Sequence, residues 1–284
     1  MTTRFINMSA RKRVLVGTLF CGESEYSLCI ASLKQQLNVE FDSFVIENRP
    51  NKEAHDALYF RFMSASEGYD YFFKFDADMV FTTKDALAGM IDLVSRNSAA
   101  HMLIDVFDWP SQLSIPGAQM FRSDSKWLGS AETLDVDYPP QLSGLSIRIA
   151  DPKPQLINHM PKPSEHQMFR YGIHKALKCV QPNRKNKILG KGIIHTTILV
   201  NIARHWRSTH DNLLIWALIG SMLLFEGKLQ PIVDDYAGSN SKRLFDDIKN
   251  DQAKFQSLAS EADRYWRNEI QSYLRLQGLF PHSG

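Results

Sequence analysis

Cysteine is scarce. Cys21, Cys29 and Cys179 are the only three, an odd number with no metal-ligand spacing. They support neither a disulfide framework nor a thiolate metal site, and they read as reduced thiols of a cytosolic protein. An excess of one charge is missing too: 33 basic against 31 acidic residues leave a formal +2, with no electrostatic footprint for nucleic acid and no acidic tail. Long apolar runs are absent. The most apolar window, Leu213 to Phe225, is about 13 residues against the roughly 20 that a membrane-crossing helix needs. Met1 to Arg13 carries a basic cluster without the apolar stretch of a secretory leader, so no leader is expected. Repeats and low-complexity segments are lacking as well. What remains is a globular chain of 284 residues, enough for one large or two small domains.

The most informative stretch is Tyr69-Asp70-Tyr71-Phe72-Phe73-Lys74-Phe75-Asp76-Ala77-Asp78-Met79-Val80-Phe81. Aromatic enrichment without a helical period predicts a strand covered on both faces, ending in an acidic tip. Asp76 and Asp78, two residues apart, are expected on the same side. Two such carboxylates repel each other unless a cation lies between them, and hard oxygen ligands suit magnesium or manganese. The alternative is a solvated turn with two capping aspartates.

The surrounding pattern gives that stretch a place. Val14 to Phe20 reads as a first strand, Glu25 to Leu37 as an amphipathic helix, Phe41 to Ile46 as a second strand and Glu53 to Ser66 as a second helix. Alternation of this kind predicts a doubly wound, mainly parallel sheet, whose ligands gather outside the carboxyl ends of the strands. Thr18, Glu47, Asp76 and Asp78 would meet at that rim. Asp85 to Ser95 continues as a helix and His101 to Phe107 as a strand. Ser111 to Pro163 is rich in proline and glycine, which suits short strands and substrate loops. Ser164 with Gln167 forms a capping box, and helices follow to the C-terminus, including an all-round apolar one at Leu213 to Ile219 expected to be buried by other helices.

Over Arg11 to Tyr171 this order, with Phe75-Asp76-Ala77-Asp78, resembles the nucleotide-sugar glycosyltransferases of the GT-A fold, family-two type. The resemblance implies an α/β GT-A catalytic domain over 11–182 and a helical C-terminal region over 183–284 packed on it. It implies Asp78 as ligand to Mn2+ or Mg2+, Asp76 as a ribose or metal contact, Glu47 as the reader of the nucleoside and Thr18 beside the base. His159, between a short strand and Pro161 and Pro163, is the candidate third ligand; its alternative is a backbone hydrogen bond at that turn. Gln167-Met168-Phe169-Arg170-Tyr171 is similar to the Gln-x-x-Arg-Trp acceptor motif, with tyrosine for tryptophan; the plainer alternative is a cap and a packing tyrosine. Asp135 or Asp137 would be the catalytic base of an inverting reaction, with Asp105 and Asp108 behind them. The partners implied are a sugar nucleotide and a glycan or lipid-linked acceptor, in surface polysaccharide or glycolipid synthesis at the cytoplasmic face of a membrane, with a peripheral contact there.

The chain departs from that family in having Thr18-Leu19-Phe20-Cys21 for Pro-x-Tyr-Asn and Glu47-Asn48-Arg49-Pro50 for Asp-Asp-Gly-Ser, which leaves the nucleotide open. Two rivals remain. One is a haloacid-dehalogenase-like phosphatase using Asp76, Asp78, Thr82 or Thr83 and Asp234-Asp235, although there the first aspartate normally ends the first strand. The other is a non-catalytic glycan-binding relative.

Overall fold

A computed structural model describes residues 12–129, 144–181, 190–229 and 239–276. In chain order the elements are β1 (Arg13–Phe20), α1 (Tyr26–Lys34), β2 (Glu40–Glu47), α2 (Asn51–Ser64), β3 (Tyr71–Lys74), β4 (Met79–Phe81), α3 (Ala86–Arg96), β5 (His101–Asp108), β6 (Leu113–Arg122), β7 (Ser146–Ile149), β8 (Ile157–His159), α4 (Glu165–Val180), α5 (Lys191–Thr209), α6 (Asn212–Phe225), α7 (Ser239–Lys249) and α8 (Gln252–Leu276). The strands form one sheet in the order β2-β1-β3-β6-β5-β8-β4, with β7 also on β5. Four of its seven pairings are parallel, and those of β6 with β3 and β5 and of β4 with β8 are antiparallel. The fold is therefore α/β with a mainly parallel sheet, as the alternation of elements suggests.

The aromatic strand is buried on both faces because its side chains alternate between two apolar clusters. Val14, Val16, Tyr71 and Phe73 join the cluster that holds the residues of α3, while Leu15 and Phe72 join Leu58 and Phe62 of α2 on the other side. The expected single strand through Asp78 is instead two. β3 stops at Lys74, the chain bends through Phe75 to Asp78, and β4 resumes at Met79 on a different neighbour, β8. A second difference is β6, a ten-residue strand where short strands and loops were expected. Pro116 cannot donate to a ladder and Gly117 weakens one. Here the register slips between Ile104 and Asp105, opposite Ala118 and Pro116, so that Gly117 becomes the extra residue of a bulge. A Cβ on Gly117 would stand 2.6 Å from a methyl of Val106, so glycine is what lets the two strands close.

The helices of the C-terminal third share the main core with the sheet: Phe73, Met102, Phe169, Trp216 and Trp266 belong to one buried cluster. α6 is buried continuously from Leu214 to Leu224, so its apolar surface faces protein. No helix among the described residues is long and apolar enough to cross a membrane. α4 and α6 approach until backbone meets backbone. A Cβ at Gly172 would lie 1.9 Å from the carbonyl oxygen of Ala217, and one at Gly220 would lie 2.4 Å from that of Phe169. Neither atom can move without shifting a helix. Gly172→Ala should therefore cost about 3 kcal/mol, the upper end of overpacking penalties, read as a lower urea midpoint; an unchanged midpoint would show that the contact is not tight.

Candidate functional site

The bend after β3 is stitched to its surroundings by backbone hydrogen bonds. Phe75 N–H donates to the carbonyl of Gly17 (3.0 Å), Ala77 N–H to that of Leu19 (3.2 Å) and Met79 N–H to that of Asp76 (3.0 Å), while Met160 N–H donates to the carbonyl of Asp78 (2.8 Å). Phe75 and Ala77 are buried. The two aspartates between and after them both line a cleft of about 200 Å³ at the rim of the sheet. The expected common side for Asp76 and Asp78 is thus what the bend provides.

Strand register brings the histidine to them. His159, the last residue of β8, lies opposite Met79 of β4 and Asp108 of β5. Its Nε2 is 3.3 Å from Oδ2 of Asp78 and its Nδ1 is 2.7 Å from Oδ1 of Asp108. Asp108 is wholly buried and also accepts the Tyr171 hydroxyl (2.9 Å), the Ser111 backbone N–H (3.1 Å) and the Ser111 hydroxyl. Burial alone would lower the His159 pKa, but Asp78 and Asp108 outweigh it and raise the ring to about 10. Burial likewise works to raise both carboxylates, yet His159 brings each below its ordinary value, and for Asp108 Lys175 and Ser111 add to the effect.

Asp76 is differently placed. Its Oδ2 is 2.7 Å from Nζ of Lys74, a lysine 3% exposed at the end of β3. The other oxygen, Oδ1, is buried without a hydrogen-bond partner among the described residues, and so is Oδ1 of Asp78. Buried carboxylate oxygens are costly when unsatisfied, and a divalent cation is one group that satisfies them. As they stand, no three His, Cys, Asp or Glu side chains among the described residues form a metal cluster. Two ligands still fit a cation that keeps waters and takes substrate phosphate oxygens. The 3.3 Å between His159 Nε2 and Asp78 Oδ2 is close to the roughly 3 Å that separates two ligands at right angles, each about 2.1 Å from the ion.

The other walls supply cations and apolar surface. α4 contributes Tyr171, His174, Lys175 and Lys178, the second strand's turn contributes Arg49, and Leu19, Phe20 and Ile46 form an apolar side; Glu23 and His55 also face in. Glu23 accepts the Cys21 N–H at 2.7 Å, and its carboxyl is raised by burial first and by the charge of Asp78 second. Sequence reasoning missed Glu23, Arg49, His55, Lys74 and the lysines of α4. The signal for the last was available: Lys175 and Lys178 are three apart, as are Tyr171 and His174, which puts a stripe on one helical face.

Several expected residues lie elsewhere. Thr18 is 1% exposed and does not line the cleft; it shares the inward parity of Val14 and Val16. Glu47 is exposed at the end of β2, outside the lining, and pairs in register with Phe20, whose ring stacks on Tyr26 at 4.3 Å. Asp105 is held bidentately by Arg148 at 2.9 and 2.8 Å, and neither it nor Asp108 lines the cleft. Asp135 and Asp137 lie outside the described residues, as do Asp234 and Asp235. Ser164 accepts the Gln167 N–H at 3.2 Å, as the capping box requires, but the Gln167 side chain accepts from Ser24 instead of closing the box. Thr82, needed by the phosphatase scheme, donates to the carbonyl of Gln155 and is not in the cleft.

No family model matches the chain, and no curated protein matches it. Among solved structures, the mannosyltransferase PcManGT from Pyrobaculum calidifontis in complex with GDP-Man and Mn2+ aligns at 14% identity over 95% of this chain and 86% of its own, with a TM-score of 0.41. That overlap is too loose to assign a role to any residue.

The His159 cluster has a pH signature. Its folded pKa lies above the ordinary 6.5, so in the metal-free protein the ring stabilises the fold fully below about 6.5, and this contribution is lost as pH rises toward about 10. Asp78 and Asp108, lowered from 3.8, contribute above that value and lose their contribution as pH falls through their folded pKa. Urea midpoints of the metal-free chain should fall between pH 7 and 10, and His159→Gln should flatten that slope; parallel profiles for the two proteins would contradict the assignment.

Proposed function

We propose that the chain is a divalent-cation-dependent glycosyltransferase, moving a sugar from a nucleotide-sugar donor to a hydroxyl acceptor. The observation that carries this is the pair of buried carboxylate oxygens on Asp76 and Asp78 without a hydrogen-bond partner among the described residues, at the sheet rim in one cleft with Lys175 and Lys178. Asp78 and His159 would hold the cation, and an imidazole among the ligands favours manganese over magnesium. When bound, the cation neutralises charge on the departing diphosphate as a Lewis acid.

The chain's own groups do the rest. Lys175 and Lys178, with Arg49, stand where a diphosphate beside Asp78 would meet positive charge fixed in advance, which is worth most where charge develops during bond breaking, and His174 lies beside them. Asp76, turned by Lys74, keeps one oxygen for a ribose hydroxyl. Leu19, Phe20 and Ile46 offer the apolar side to a base, and Glu47 remains the group for nucleoside hydroxyls at the outer edge. Thr18, buried, would act only through the backbone of its neighbours. The base of an inverting reaction is assigned to Asp137 or Asp135.

In this scheme 11–182 forms the catalytic unit and 183–284 the helical region that positions α4. The acceptor is a glycan or a lipid-linked hydroxyl of surface polysaccharide or glycolipid synthesis, met in the cytoplasm at the inner membrane face.

Thermal shifts with a panel of sugar nucleotides, with and without manganese, should show stabilisation only when both are present. Asp78→Asn should remove that joint effect and lower transfer by at least about 100-fold, and Lys178→Ala should lower kcat by a similar factor of about 100 to 1,000. Full activity in both variants would end the proposal.

A further inference from the structure

We propose that Asp108 is a positioning residue, holding the His159 ring so that Nε2 faces Asp78 as the cation's second protein ligand. This rests on the cation site proposed above, and it concerns a residue that no ligand in the cleft can touch, since Asp108 is wholly buried and absent from the lining. An imidazole can ligate through either nitrogen, and its ring can turn over. Which nitrogen faces the ion is set by the hydrogen bond that the other one makes. Here Nδ1 donates to Oδ1 of Asp108 at 2.7 Å, which leaves Nε2, 3.3 Å from Asp78, to point into the cleft.

The carboxylate can do this because it cannot swing. Oδ1 accepts from His159 and from the Tyr171 hydroxyl, while Oδ2 accepts from both the backbone N–H and the hydroxyl of Ser111. A cap for the turn at Ser111 would need only a neutral acceptor. An ionised group at this depth is expensive, and its charge is directed at the ring. Tyr171 joins the two walls of the site, because the helix that carries Lys175 and Lys178 also donates to the carboxylate that aims the histidine.

The test uses the full chain and Mn2+ alone, titrated by electron paramagnetic resonance, with pulsed measurements reporting 14N coupling from a bound imidazole. Wild type should bind Mn2+ with that coupling. Asp108→Asn, nearly isosteric, should bind 10- to 100-fold more weakly and lose or diminish the coupling; Tyr171→Phe, which keeps the charge and removes one donor, should move both in the same direction by less. Unchanged affinity and coupling in Asp108→Asn would overturn the inference while leaving the cation site standing. Should Asp108→Asn not fold, wild-type affinity and coupling in both Tyr171→Phe and Ser111→Ala would overturn it equally. Wild type taking up no Mn2+ would remove the cation site itself, and this inference with it.

Discussion

A histidine ring between two carboxylates, the half-buried Asp78 on one side and the wholly buried Asp108 on the other, is the contact on which the rest of the site depends. Two carboxylates this close, one of them fully out of water, would be costly without a cation between or beside them. In the metal-free molecule the imidazole is that cation, and losing it would leave uncompensated charge. The arrangement explains why the acidic loop leaves the line of β3. It has to reach β8, and the bond from Met160 N–H to the carbonyl of Asp78 clips it there, while β8 sits in register with β5 to bring Asp108 into the same row.

The C-terminal helices reach the cleft through α4, against which α6 packs. α4 faces the cleft with Tyr171, His174, Lys175 and Lys178, and its distance from the sheet is set on its far side, where Gly172 and Gly220 allow α6 to lie against it. Two further links tie α4 to the sheet rim, Tyr171 to Asp108 and Gln167 to Ser24, and Ser24 also donates to the carbonyl of Lys162 just ahead of the helix. A shift of α4 would therefore move the basic wall and loosen the histidine together. This coupling makes the apolar helices part of the site even though α6 is buried away from solvent.

Much of this was legible in the sequence where the information is local. The three parallel strands, the common side of Asp76 and Asp78, the Ser164 cap and the burial of α6 all follow from spacing and composition. Strand parity could also have placed Thr18 inward, on the face of Val14 and Val16. The break between β3 and β4 was not legible, because Phe75 to Phe81 keeps the apolar pattern of a strand while changing its hydrogen-bond partner. β6 was hidden by Pro116 and Gly117, whose usual meaning is a loop and which here make a bulge. The meeting of Asp108, His159 and Tyr171 joins residues up to 63 positions apart, and the sequence offered Asp108 as a reserve base, with nothing to pair it with His159.

The most direct measurement is an anomalous difference map from crystals of the chain grown with Mn2+ and a sugar nucleotide. The account expects a single strong peak about 2.1 Å from both an Asp78 oxygen and Nε2 of His159, with the diphosphate on its open side toward Lys175 and Lys178. A nucleotide bound in the cleft with no peak there, and with His159 still bridging Asp78 and Asp108, would contradict it.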